Sequence, residues 1–334
     1  MDLLSKIPIL VPQRARNWRG WAGRFLLLVF AAFVLAMLVW QARQVEWNQV
    51  WRSLRETPLP VLLAAAGLAL CGHLLYSAFD LLGRRYTGHA LGTLPTMGVT
   101  FVSYAFNLNF GAIVGGAAMR FRLYARLGLA VGTIARVMAL SMWTNWLGYL
   151  FLAGALLLWL PLAPPPAWPL EPWALHILGA LLLGLALGYV LLCATADRRH
   201  WQVRWRTHRY AVHLPTARMA LLQLLMASGT WLLMAGVLYV MLQQQVAFSA
   251  VASVHLLGMV SGLVARVPAG LGVQEAVFVA LLSHQVPQPE LLAALLGYRA
   301  FYYWAPLGLA LLAYLWMETR ARRMTRKRAT RKRN

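Results

Sequence analysis

A hydrocarbon core of roughly 30 Å is crossed by a helix of about 20 apolar residues, and stretches of that length recur along this chain between short clusters of arginine. Such a pattern predicts an all-α polytopic membrane protein, because a helix satisfies its own backbone where no water can. Composition points the same way. The 334 residues are 60% hydrophobic and 12% charged, with a mean hydropathy of +0.60; a soluble domain carries about a quarter charged residues. No stretch between the termini is long and polar enough for a soluble domain, so enzyme classes that need a cytoplasmic active-site domain are not expected.

The net charge of +22 comes from 31 basic and 9 acidic residues. The basic residues lie between apolar runs, as the positive-inside bias of membrane topology requires. They are therefore read as topology signals and contacts to anionic lipid, not as a nucleic-acid surface. Cys71 and Cys193 both fall inside expected spans, with no metal-like spacing around them, so neither a disulfide framework, nor a metal site, nor a cofactor is expected.

Reading along the chain, residues 1–24 form a basic cytoplasmic segment, 25–317 one transmembrane domain, and 318–334 a basic cytoplasmic tail. No small-residue cleavage site follows the first apolar run, so residues 25–40 read as a retained span. A second span at 59–82 returns the chain to Arg84 and Arg85. The stretch 94–114 resembles a span but holds Asn107, Asn109 and Gly111, and runs into Gly115 and Gly116. A full crossing there would strand Arg120, Arg122, Arg126 and Arg136 outside. A re-entrant element lining a cavity resolves the conflict. Spans at 137–160, 173–194 and 219–242 follow. An uncharged proline-rich loop lies between the first two, and an arginine-rich, interfacial amphipathic piece at 197–218 between the last two.

A second break separates 251–265 from 273–283 at Arg266-Val267-Pro268-Ala269-Gly270-Leu271-Gly272. Proline removes a helix hydrogen bond and the glycines raise chain entropy. This reads as a broken hairpin or, alternatively, as two short tilted spans. A last helix is expected at 291–317. About six to eight spanning helices with two broken elements result, and the halves 25–160 and 173–317 have the form of an inverted-topology repeat, whose paired breaks mark a site near the bilayer midplane.

Few residues offer chemistry. Each ionisable group inside a bilayer costs about 2.5 to 3.5 kcal/mol. Asp80 reads as an interfacial partner of Arg84 or as a buried functional acid. Glu275 reads as part of a site or as the cap of its own half-helix. Arg120 and Arg266 suit a phosphate cradle together with free amides after Gly115, Gly116 and Gly270; the other reading is a snorkelling cation at the inner interface. Asn107 and Asn109 either bind a headgroup or satisfy broken backbone. His255 and His284 flank the second break, as a proton relay or as cross-helix hydrogen bonders. No nucleophile elbow, Walker loop or zinc-protease motif is present.

The stretches Gly115-Gly116-Ala117-Ala118-Met119-Arg120 and Pro268-Ala269-Gly270-Leu271-Gly272-Val273-Gln274-Glu275 resemble the YbhN-like (UPF0104) membrane proteins, related to the transmembrane flippase part of lysylphosphatidylglycerol synthases. The resemblance implies a flippase-like fold that moves or holds lipid in the bacterial inner membrane. The residues read here as candidates to bind an anionic phospholipid or lipid-linked headgroup are Gly115, Gly116, Arg120, Arg266, Pro268, Gly270, Gly272, Glu275, Asn107 and Asn109. It leaves the pairing of Arg120 with Glu275 open. Only a short tail follows 317, so lysyl transfer by this chain is not expected. The alternative function is a non-transporting membrane partner of a lipid- or envelope-synthesis enzyme.

Overall fold

The computed structural model describes residues 47–160, 172–196, 202–205, 208–211 and 214–315. The expected first span, the proline-rich loop and both basic termini lie outside these residues. From Asn48 onward the chain forms one unit.

Four described helices are long and apolar enough to cross a membrane. The first is α2 (Leu59–Ser77) continued by α3 (Phe79–Thr87). Proline at its start has no backbone hydrogen to lose, and Gly88, at φ 69°, closes its far end by donating to the Arg84 carbonyl. A short helix, α1 (Trp47–Arg55), precedes it. The other long helices are α6 (Val131–Trp159), α7 (Pro172–Ala196) and α8 (Ala217–Met241), the last capped by Thr216, whose hydroxyl accepts from the Met219 amide. The spans expected at 59–82, 137–160, 173–194 and 219–242 are thus present, with α6 starting earlier than foreseen.

Both expected breaks are real. Helix α4 (Thr93–Phe110) stops at Gly111, whose φ of 84° only glycine adopts freely; a π-helical turn (Ala112–Ala117) and α5 (Ala118–Arg126) follow. Helix α9 (Phe248–Val264) stops before a 3-10 turn (Pro268–Gly270), and α10 (Val273–Leu282) follows. At 1.5 Å per residue α4 and α9 are each about 26 Å long while α5 and α10 are about 15 Å. The short arms match only about half a hydrocarbon core in length, and each packs back on the long arm before it, so each break is a hairpin with one long and one short arm. The expected last helix is α11 (Gln288–Arg299), a second π-helical turn (Ala300–Trp304) and α12 (305–315).

The arginine-rich segment differs from expectation. Its described residues form two antiparallel strands, β1 (Gln202–Trp205) and β2 (His208–Ala211), with Val203 opposite Tyr210. Polar residues alternate there with Val203, Trp205 and Tyr210, a period of two that fits a strand better than a helix. The fold class is otherwise all-α.

Helix α8 is the axis of the bundle: Ala220, Ala227, Val237 and Leu238 are fully buried along it. Helix α7 shows the opposite face of the design, with Ile177, Leu181, Leu185 and Leu191 all exposed. Apolar surface on that scale is covered by a bilayer, not by water. Small residues allow the closest crossings. A β-carbon on Gly148 of α6 would sit 2.6 Å from the Ser228 amide nitrogen of α8, so the two backbones touch. Gly148→Ala is expected to destabilise the fold by about 1–3 kcal/mol, read as a lowered thermal transition in detergent. Gly67→Ala, where nothing lies within 4 Å, is expected to leave that transition in place.

Candidate functional site

The second hairpin is built around a residue that sequence reasoning passed over. Arg299, on α11, is 3% exposed. Its Nε donates to Glu275 Oε1 at 2.6 Å and its Nη2 to Glu275 Oε2 at 3.1 Å, a bidentate fork. The same guanidinium donates to the carbonyls of Ala269 at 3.1 Å and Gly270 at 3.4 Å, while its carbon lies 5.5 Å from the Tyr303 ring centre. Glu275 Oε2 also accepts from the Gly272 amide at 2.8 Å. A turn that carries positive φ at Arg266, Ala269, Gly270 and Gly272 cannot bond itself as a helix does. Arg299 and Glu275 supply the missing partners.

This settles several expectations. Glu275 does cap its own half-helix, but it pairs with Arg299 and not with Arg120. The amide after Gly270 and Leu271 is taken by that carboxylate, so it is not a free anion cradle. Gly270 carries a φ of 59° that favours glycine, and Gly262 is the glycine that permits close approach, because a β-carbon there would lie 3.0 Å from the Gly270 α-carbon. Pro268 opens the 3-10 turn. Arg266 is exposed at the turn, with no side-chain partner among the described residues.

The first hairpin holds a second buried pair. Asp80, fully buried on α3, receives the Tyr124 hydroxyl of α5 at 2.7 Å, and Arg120 Nε stands 3.6 Å from the same Asp80 oxygen. Arg120 is 6% exposed, with the Tyr76 hydroxyl beside its guanidinium. It is therefore not a snorkelling cation, and Asp80 is not the partner of Arg84, which donates to Thr93. The two pairs are unlike in quality. Arg299–Glu275 is short and forked, whereas Arg120 Nε and Asp80 Oδ1 have no hydrogen-bond partner among the described residues.

The remaining expected residues at this break pack on the turn or bond its neighbours. The Gly115 and Gly116 amides both bond the Gly111 carbonyl, at 2.9 and 3.2 Å, so they are not free either. Gly115 lies against the Phe106 carbonyl and Gly116 against the Asn107 side chain, where a β-carbon has no room. Asn107 thus packs on the turn, and Asn109 donates to the carbonyls of Ala105 (2.8 Å) and Tyr303 (3.2 Å). Sequence reasoning could have found Arg299: it is a lone arginine inside an apolar run, and a charge there needs a partner.

Between the pairs runs an aromatic seam. Tyr76 stacks on Tyr104 at 3.5 Å, the Tyr104 and Tyr302 hydroxyls are 3.4 Å apart, and Tyr298 stacks on Tyr302 at 5.7 Å. His73 and His255 are buried at its sides. His284 is exposed and, among the described residues, bonds its neighbour Gln285.

Comparison with known proteins places this architecture. The family described as "Lysylphosphatidylglycerol synthase TM region" matches residues 25–310. The chain belongs to that family. It is 40% identical over 312 residues to the inner membrane protein YbhN of Escherichia coli (strain K12), covering 93% of this chain and 96% of the relative. It is 32% identical over 270 residues to protein slr0712 of a Synechocystis strain, covering 80% and 82%. A Staphylococcus haemolyticus phosphatidylglycerol lysyltransferase is 32% identical over 161 residues, 41% of this chain but 19% of the relative. The chain is a YbhN-like membrane protein, and both hairpins and both ion pairs fall inside the family match.

Breaking a buried pair leaves one charge uncompensated and costs about 3–5 kcal/mol. Arg299→Ala is expected to lower stability by that order, and Arg299→Lys to recover only part of it, because an ammonium lacks the fork that also holds the two turn carbonyls. Thermal unfolding of the detergent-solubilised variants checks this.

Proposed function

We propose that this protein translocates anionic phospholipid across a bacterial inner membrane. Residues 1–24 and 318–334 are then basic cytoplasmic flanks of one transmembrane domain, 25–317, with both termini on the cytoplasmic side. The observation that carries the reading is the contrast between the two buried ion pairs. One pair locks a hairpin turn; the other, Arg120 with Asp80, leaves hydrogen-bonding capacity unused in the protein interior.

A guanidinium in that condition suits a phosphodiester. Arg120 has donors to offer, while Tyr124 continues to hold Asp80 when the guanidinium turns to a headgroup. Acyl chains stay in the bilayer, and only the polar head passes between the hairpins. Rocking of one half against the other would expose the site to alternate leaflets. Arg266, exposed at the second turn, offers a first contact for the headgroup. The family likeness supports the lipid class, since the Staphylococcus haemolyticus relative is by name a phosphatidylglycerol enzyme.

A hydrogen bond to a charged group is worth about 1.5–3 kcal/mol, or about ten- to a hundredfold in rate when it is lost from the transported state. In vesicles containing labelled phosphatidylglycerol, Arg120→Ala is expected to slow translocation by that factor. Arg266→Ala is expected to cause a smaller, salt-dependent loss, as befits an exposed charge. Wild-type rates for both variants would overturn the mechanism.

A further inference from the structure

The two buried ion pairs are each neutral, and that has a consequence for any anionic headgroup. A phosphodiester entering beside Arg120 adds one negative charge to a site already balanced by Asp80. An uncompensated charge in a low-dielectric interior is costly, so a cation must enter with it. The second pair cannot provide one, since Arg299 is fully engaged by Glu275 and the turn carbonyls.

His73 lies where a cation is needed. His73, Tyr76, Ser77 and Asp80 are all buried, and their spacing of three, four and seven residues puts them on one face of the α2–α3 helix. His73 is 2% exposed, and its Nε2 is 3.0 Å from the Tyr302 carbonyl, which can only accept. That nitrogen therefore carries the hydrogen, and Nδ1 is the basic lone pair. Nδ1 is buried with no hydrogen-bond partner among the described residues. Three aromatic rings surround the imidazole: Tyr302 at 4.8 Å, Tyr104 at 5.2 Å and Phe101 at 5.7 Å.

The titratable groups facing it are Tyr104 from α4 and Tyr302 from the second π-helical turn, and Tyr76 of its own helix stacks on Tyr104. No charged side chain among the described residues touches the ring. Asp80 and Arg120 are linked to it through the Tyr104–Tyr76 stack.

We propose that His73 is a proton-binding site and that this protein carries one proton with each anionic lipid. The idea rests on the translocation reading and adds its energy source. A proton from water on one side adds to Nδ1 as the headgroup reaches Arg120, giving an imidazolium that restores neutrality. On the other side the proton returns to water as the headgroup leaves. The lipid's charge and the proton's cancel, so the step carries no net charge.

The test uses the full chain in vesicles of phosphatidylethanolamine and phosphatidylglycerol, with tail-labelled phosphatidylglycerol and a trapped pH dye. Potassium and valinomycin set the voltage independently of pH. One proton per lipid makes each unit of pH gradient shift the steady-state leaflet ratio about tenfold, with lumenal pH changing as lipid moves and voltage alone having no effect. His73→Gln keeps a donor for the Tyr302 carbonyl but accepts no proton, and is expected to lose the pH response. His284→Gln is expected to keep it. Translocation in the wild type that ignores pH and follows voltage overturns the proton proposal and leaves the lipid reading standing. Absence of translocation under every gradient overturns both. A His73→Gln protein with wild-type unfolding and a wild-type pH response removes His73 from the role. The wild-type arm decides the coupling whether or not the variant folds.

Discussion

The fork between Arg299 and Glu275 is the contact on which the second half of the molecule depends. A chain that breaks a helix inside a membrane must find partners for the amides and carbonyls it frees, because lipid offers none. Here a single guanidinium takes two carbonyls of the break, and the carboxylate that neutralises it takes an amide from the same turn. The charges are the means by which irregular backbone is tolerated at depth. This explains why a costly pair is kept where an apolar pair would pack as well.

The first hairpin solves the same problem differently. A π-helical turn keeps most backbone bonds within the segment, with Gly111 as the common acceptor for two amides. Its ion pair is thereby released from backbone duty. Asp80 and Arg120 reach across from α3 to α5 without touching the turn carbonyls. One hairpin spends its ion pair on structure and the other does not, so the latter pair keeps hydrogen-bonding capacity unused.

The sequence made the scaffold legible because hydrophobic length is a strong, local signal. The long spans, the two breaks and the glycines at Gly111, Gly270 and Gly272 follow from apolar run length and helix-breaking residues. The site was less legible because pairing is a long-range fact. Arg120 and Glu275 were recognisable as costly charges, yet nothing local tells that the first lies against Asp80, far back in the chain, and the second against Arg299. Arg266, conspicuous in its glycine-rich motif, proved exposed, while Arg299 was hidden in a run read as one plain helix. The strands β1 and β2 were missed because a cluster of arginines drew attention to charge and away from the period of two beneath it.

The halves are joined where the last helix widens. A π-helical turn displaces carbonyls from the regular ladder, and at Ala300–Trp304 two of them are used across the molecule. Tyr302 accepts from His73 of α2, and Tyr303 accepts from Asn109 at the end of α4. Tyr303 also lies over Arg299, which grips the second break. A shift of the second hairpin thus bears on Arg299, then on the widened turn, and from there on His73 and the first hairpin. Side chains that hold both breaks meet at one distorted segment, so neither hairpin can move without altering the other's hydrogen bonds. The alternating exposure proposed for the lipid site would need a linkage of this kind.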